Sequence, residues 1–288
     1  MLRETDIELD DGRRLHVYDS AGEDAVERLA VVWHHGAPNI GEPPRPLFAA
    51  AERLGVRWVG YDRPGYGGST ARPGRTVGSA AGDVAAVADA LGLERFGVMG
   101  HSGGAAHALA CAALVPERVL AAVAMSGVAP FRAEGLDWFA GFADAGVRAF
   151  RAAEQGRDAR MRHEAEIPDD ADIGFLPGDW EALSGDWSWV LDVVRRAEAS
   201  GIEAPVEDDL AGVAPWGFDP ADITVPVLVV HGGRDRMVPS THAEWLARRI
   251  PSAELWLRPE DGHITVLRAA EAALEWLAGR ARAQLSPP

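Results

Sequence analysis

Five apolar runs constrain this chain more than any other feature: "LAVVWH", "VRWVGY", "FGVMGH", "VLAAVAM" and "VPVLVVH". None alternates polar with apolar residues, so a strand built from any of them has to be covered on both faces. Between the first four stand longer stretches of helical pattern, near residues 43–54, 77–91 and 103–115. Strand, helix, strand in succession predicts the α/β class, with a mainly parallel central sheet flanked by helices. "DIELDD" and "RRLHVYDS", turning at Gly12, add an antiparallel hairpin in front, and "AELWLR" with helical patterns at 241–250 and 265–279 completes the series.

Charge interrupts this pattern in one place. Residues 131–222 hold 21 Asp and Glu against 8 Arg, which accounts for most of the net charge of −16, and they carry 5 of the 10 Trp and 6 of the 8 Phe. The expected organisation is a core from residues 1–130 and 223–288 with a helical cap at 131–222, acidic outward and aromatic toward the site. The competing expectation is that those aromatic side chains form a small core of the insert's own.

The acidic balance argues against nucleic acid or an anionic membrane as partner, because both need cationic patches. No apolar run approaches a membrane span and the opening residues are too polar for a secretory signal, so a cytoplasmic location is expected. All 28 basic residues are arginine; without an amine side chain, Schiff-base and Ser-Lys chemistry are excluded. The single cysteine, Cys111, reads as a buried core residue. No zinc-binding His-Glu-x-x-His pattern is present, so neither metal nor cofactor is expected.

In open α/β sheets ligands sit beyond the carboxyl ends of the strands, so the residues that end the runs matter. They are His35-Gly36, Asp62-Arg63-Pro64-Gly65, Ser102-Gly103, Asp235 and Asp261-Gly262-His263. Ser102 lies in "GHSGG". Gly100 and Gly104 leave room for a strand to turn sharply into a helix, which would lift the serine hydroxyl above the sheet edge. A serine hydroxyl needs a base. Of nine histidines, His101 should point elsewhere and His107 lies inside the next helix, whereas His263, in a loop after the last strand, can reach across. Asp235, in "HGGRDRMVP", is the expected partner that orients the imidazole; Asp261 is the rival, read as shaping the His263 loop. The N–H of Gly103 and that of Ala37 in "HHGAPN", where Gly36 permits an unusual backbone, are the candidate oxyanion donors.

The ordered set "HGAP", "DRPGYGGS", "GHSGG", "HGGRDRMVP" and "DGH" resembles the α/β-hydrolase superfamily, in its capped esterase, haloperoxidase-like and epoxide-hydrolase-like branch. The resemblance covers about residues 1–130 and 223–282. It implies acyl-enzyme chemistry in which Ser102 attacks, His263 shuttles the proton, Asp235 supports it, and Ala37 with Gly103 binds the oxyanion. A serine at 102 tells against the aspartate-nucleophile dehalogenases and epoxide hydrolases. "HGAPN" departs from the "HGGPG" of proline iminopeptidases. Asp62 and Arg63 are expected in a salt-bridged scaffold. The function expected is hydrolysis of a small or medium, fairly apolar carboxylic ester, lactone or amide. A slow or non-catalytic ligand-binding receptor and a C–C bond hydrolase or perhydrolase remain alternatives. The partner is a small-molecule substrate, and a homo-oligomer is compatible with the sequence.

Overall fold

The computed structural model describes residues 2–21, 28–168 and 171–285. Its centre is an eight-stranded sheet in the order β1-β2-β4-β3-β5-β6-β7-β8. The strands are β1 (Arg3–Glu8), β2 (Arg14–Asp19), β3 (Leu29–His34), β4 (Val56–Tyr61), β5 (Phe96–His101), β6 (Val119–Met125), β7 (Val227–Gly232) and β8 (Ala253–Arg258). β1 and β2 form the expected antiparallel hairpin and β2 pairs antiparallel with β4, while β3 to β8 pair in parallel. Every residue of β3 to β7 is buried.

The absence of alternation in the apolar runs follows from two separate cores. Val31, Trp33, Met99, Val123 and Leu228 point to one face. Ala30, Val32, Val98, Ala122 and Val229 point to the other. Successive strand side chains alternate between faces, so covering both sides requires apolar residues throughout. The first face packs on α1 (Phe48–Arg53) and α10 (Ala270–Leu285), the second on α2 (Ser79–Ala90), α3 (Gly103–Leu114) and α9 (Thr241–Arg249). Edge strand β1 is mostly exposed and carries Arg3, Glu4, Asp6 and Glu8, charges that discourage pairing with another chain.

The helix expected at 43–54 is shorter. Pro43 and Pro44 carry no N–H to donate, so the segment begins as a single 3-10 turn, Arg45–Leu47, before α1.

Among the described residues, five α-helices lie between β6 and β7: α4 (Asp144–Glu154), α5 (Arg157–Glu166), α6 (Pro177–Ser184), α7 (Trp189–Glu198) and α8 (Glu203–Val213). Their aromatic residues divide between the two expectations. Trp138 is ringed by Phe131, Phe139, Phe142 and Phe150 at centroid separations of 4.8–5.1 Å, a small core of the segment's own. Trp189 instead reaches Trp33 of β3 at 6.2 Å, and Phe175 stacks near His263. The acidic residues do not all face outward: Asp179, Glu207 and the side chain of Asp208 are buried.

Candidate active site

Ser102 links the end of β5 to the start of α3 with φ 55° and ψ −129°, a left-handed conformation that a non-glycine residue adopts only when its surroundings enforce it. Those surroundings are close. A Cβ on Gly100 would lie 2.3 Å from the Gly104 carbonyl oxygen, and one on Gly104 would lie 2.0 Å from that of His34. Both positions therefore need glycine so that α3 can leave the strand end at this angle. The Ser102 N–H is spent on the Met125 carbonyl at 2.9 Å. The Gly103 N–H, first in α3, has no acceptor within the helix, and the helix dipole places positive potential there.

The loop after β3 approaches the same point. Ala37 N lies 3.9 Å from where a Gly103 Cβ would stand. Gly36 is not in the left-handed region, contrary to the expectation of an unusual backbone. Its constraint is space, with Asn39 Nδ2 3.2 Å and the Ser102 Cβ 3.4 Å from the Cβ it lacks. Ala37, Ser102 and Gly103 line one cavity of about 190 Å³, whose remaining wall includes Val128, Phe150, Trp216 and Met237.

His263 and Asp235 meet as expected. His263 Nδ1 donates to Asp235 Oδ2 at 2.8 Å, and both side chains are buried. Asp235 Oδ1 accepts the Met237 and Val238 N–H groups at 2.9 Å each, which fixes the carboxylate. Burial alone would raise the Asp235 pKa, but the His263 imidazole and hydrogen bonds from His231 and His263 outweigh it and hold the carboxyl well below the usual range. Asp261 acts locally, accepting from Arg258 and, through its carbonyl, from the Arg234 N–H. His101 does not point away from the site: its ring centroid lies 4.9 Å from that of His263, and its Nε2–H donates to the His263 carbonyl at 3.0 Å. His101, at the end of the strand that leads into Ser102, is therefore tied directly to the loop that carries His263.

The sequence profile of the alpha/beta hydrolase fold matches residues 30–270. The chain belongs to the α/β-hydrolase fold family. Relatives of this hydrolase family include a non-heme chloroperoxidase from Streptomyces lividans, 32% identical, with 75% of this chain and 77% of that one covered. They also include a dihydrolipoyllysine-residue acetyltransferase component of an acetoin cleaving system from Pseudomonas putida, 28% identical over 90% of this chain; the match spans 64% of that protein's length. Among solved structures, an enol-lactonase from Burkholderia xenovorans LB400 superposes with a TM-score of 0.71 at 20% identity, covering 96% of this chain and 100% of that one.

In this α/β-hydrolase, Asp62 and Arg63 do not form one salt-bridged unit. Asp62 accepts the Gly41 and Gly68 N–H groups at 2.7 and 2.9 Å. Arg63 turns to Asp208 on α8, at 2.7 Å from Oδ2. Arg75 reaches the other oxygen at 2.5 Å and the Tyr66 hydroxyl donates to Oδ2 at 2.7 Å. The same Arg63 guanidinium donates to the carbonyls of His35 and Gly36, immediately before Ala37. Burial would raise the Asp208 pKa, but Arg63 and Arg75 outweigh it and keep the carboxyl well below the usual range.

Asp208 and Asp179 were invisible in the sequence. "VEDDL" on α8 reads as a solvated acidic run, and only the Pro-x-Asp start of α6 hinted that Asp179 faces the chain, since a helix-opening carboxylate accepts a first-turn or N-cap N–H. Among the described residues no group of three or more His, Cys, Asp or Glu side chains is placed to hold a metal ion, and no helix is long and apolar enough to cross a membrane.

Buried histidines make stability acid-sensitive. Burial lowers His101 and His107 to about 3 and His242 to about 4. Below the unfolded pKa of about 6.5, the unfolded chain binds protons that the folded one refuses, so stability falls as pH falls toward 4. Each such histidine contributes about 1.4 kcal/mol per pH unit in that window. Asp209, raised by burial to about 6 against the opposing pull of Arg160, acts the other way between about 4 and 6, because its folded form keeps a proton that the unfolded chain has released. His34 and His35, lowered by the same burial, add to these three, the histidines outweigh Asp209, and urea denaturation at pH 7, 6 and 5 should show a steadily falling midpoint.

Proposed function

We propose that this chain is a cofactor-independent serine hydrolase that cleaves small, fairly apolar carboxylic esters or lactones through an acyl-enzyme. The observation that carries this reading is the strained Ser102 turn on the wall of a largely apolar cavity, together with the buried Asp235–His263 pair, whose imidazole lies 4.9 Å from the ring of His101, the residue before the serine. Ser102 Oγ attacks the carbonyl carbon while His263 Nε2 takes its proton. Asp235, held anionic, stabilises the imidazolium and keeps the ring in the tautomer with Nδ1 protonated. The oxyanion forms between the N–H groups of Gly103 and Ala37, at the positive end of α3. When the tetrahedral intermediate collapses, His263 returns the proton to the leaving alkoxide. Water then repeats the sequence on the acyl-enzyme, and Ser102 is released with the carboxylic acid product.

The cavity of about 190 Å³ is small beside the roughly 300–1,000 Å³ of ordinary ligand pockets, which favours short acyl groups. Helices α4 and α8, with Phe150 and Gly212 on the cavity wall, serve as the cap in this reading. Hydrolysis of p-nitrophenyl acetate, butyrate and octanoate tests it. The expected order of kcat/KM places butyrate or acetate above octanoate by about tenfold or more, since excess methylenes have to displace packed side chains. A steady rise to octanoate would contradict the short-acyl assignment, and no turnover of any of them would contradict the esterase reading.

A further inference from the structure

Asp179 lies on α6, in the helical segment between β6 and β7, and its side chain is completely buried. Its carboxylate is engaged almost entirely by the loop that carries His263. Oδ1 accepts the Ile264 N–H at 3.0 Å, the Thr265 N–H at 2.8 Å and the Thr265 hydroxyl at 3.1 Å. Oδ2 accepts the Leu176 N–H at 2.9 Å, which fixes the carboxylate to the start of its own helix. Thr265 Oγ1 also accepts the Gly262 N–H at 2.6 Å, so the chain is gripped on both sides of residue 263. A Cβ on Gly262 would fall 2.3 Å from Asp179 Oδ2, so the carboxylate fills the space beside the loop and position 262 has to be glycine. Phe175, from the same segment, lies nearly parallel to the imidazole at 6.2 Å.

The core restrains His263 through the Asp235 carboxylate on Nδ1 and His101 on its carbonyl. The turn that follows closes on itself through the Leu267 N–H on the Ile264 carbonyl, but the N–H groups of residues 264 and 265 are held by Asp179. A buried carboxylate that accepts several N–H groups is anchored by bonds of about twice the strength of neutral ones, and such supports hold reacting groups to within fractions of an ångström.

We propose, building on the serine-hydrolase reading above, that Asp179 is a positioning residue for the base: by gripping the main chain at Ile264 and Thr265 it keeps the His263 imidazole on Asp235 with Nε2 directed at Ser102. The segment bearing α6 is then a fixed part of the proton-transfer machinery, and it cannot lift from the core without releasing the base.

Kinetics of Asp179→Ala and Asp179→Asn against wild type test this. An asparagine can keep its carbonyl oxygen on Ile264 and Thr265, while it gives up the charge and turns its amide NH2 toward the Leu176 N–H in place of an acceptor. Asp179→Ala should lower kcat by about 100-fold, the scale of an ångström-sized misplacement, with KM within about threefold. Asp179→Asn should recover most of that loss. Should Asp179→Ala fail to fold, Thr265→Val, which removes the hydroxyl shared by Gly262 and Asp179, should show the same split at about tenfold. A folded Asp179→Ala enzyme with unchanged kcat, or equal losses of kcat in the alanine and asparagine variants, would overturn the proposal. Titration of wild type with a fluorophosphonate separates this from the reading it rests on. Stoichiometric labelling with insensitive Asp179 variants removes the positioning role alone, whereas a folded wild type that neither labels nor turns over removes both.

Discussion

Ser102→Ala should lower kcat/KM toward a short p-nitrophenyl ester by roughly 10⁴- to 10⁶-fold, the loss that follows when one member of a nucleophile–base–carboxylate set is deleted. No other side chain lining the cavity carries a hydroxyl or a thiol. Cys111 is buried behind the turn, and burial pushes its thiol well above the usual range, so it cannot substitute. In the serine-hydrolase reading, the residual rate is supplied by the Gly103 and Ala37 N–H groups, which the substitution leaves in place. The fold should survive, because the left-handed backbone at 102 is enforced by the contacts of Gly100 and Gly104 and by the Ser102 N–H bond to Met125, none of which uses the hydroxyl. Steady-state kinetics with circular dichroism on the same samples checks both statements. A folded variant within tenfold of wild type would mean that another group attacks the substrate.

Asp208→Ala has the largest expected effect on stability, a loss of about 3–5 kcal/mol, because it strips two buried guanidinium groups of their common partner. The Arg63 and Arg75 side chains are only 1% and 2% exposed, so neither can turn to water. Their remaining partners are carbonyl oxygens, of His35 and Gly36 for Arg63 and of Ala204 for Arg75, which accept hydrogen bonds but carry no countercharge. The damage should extend to catalysis in the reading given above. Arg63 then holds the loop before Ala37 from one side only, and the oxyanion donor that this loop presents becomes less fixed. Urea denaturation gives the stability term and kcat the catalytic one. A change in unfolding free energy below about 1 kcal/mol, the value of an exposed ion pair, would show that the cluster is solvated.

The parts of this molecule that could be read from sequence are those whose cause is local. A strand buried on both faces has to be apolar at every position, so β3 to β7 announce themselves, and the glycines at 100 and 104 mark a turn that no other residue permits. The positions of Asp235 and His263 follow from the same rule, since each comes soon after a strand that ends at one edge of the sheet, and the structure joins them at 2.8 Å. What escaped depends on partners far along the chain. Asp208 is separated from Arg63 by 145 residues, and Asp179 from Thr265 by 86. Nothing in a run such as "VEDDL" distinguishes a carboxylate that meets two arginines from one that meets water. The scaffold expected of Asp62 and Arg63 has partners the sequence does not announce, since neighbours in an extended chain point to opposite sides: backbone N–H groups for Asp62 and the distant Asp208 for Arg63. His101 escaped for the same reason as the two aspartates, because it donates to the carbonyl of His263, 162 residues along the chain.

The most direct test of the account is to incubate the folded protein with a fluorophosphonate, digest it and locate the adduct by mass spectrometry. The account predicts one phosphonyl group per chain, attached to Ser102 and absent from the His263→Ala protein, whose serine lacks a base. An adduct on any other residue, or labelling of Ser102 that proceeds equally fast without His263, would contradict it.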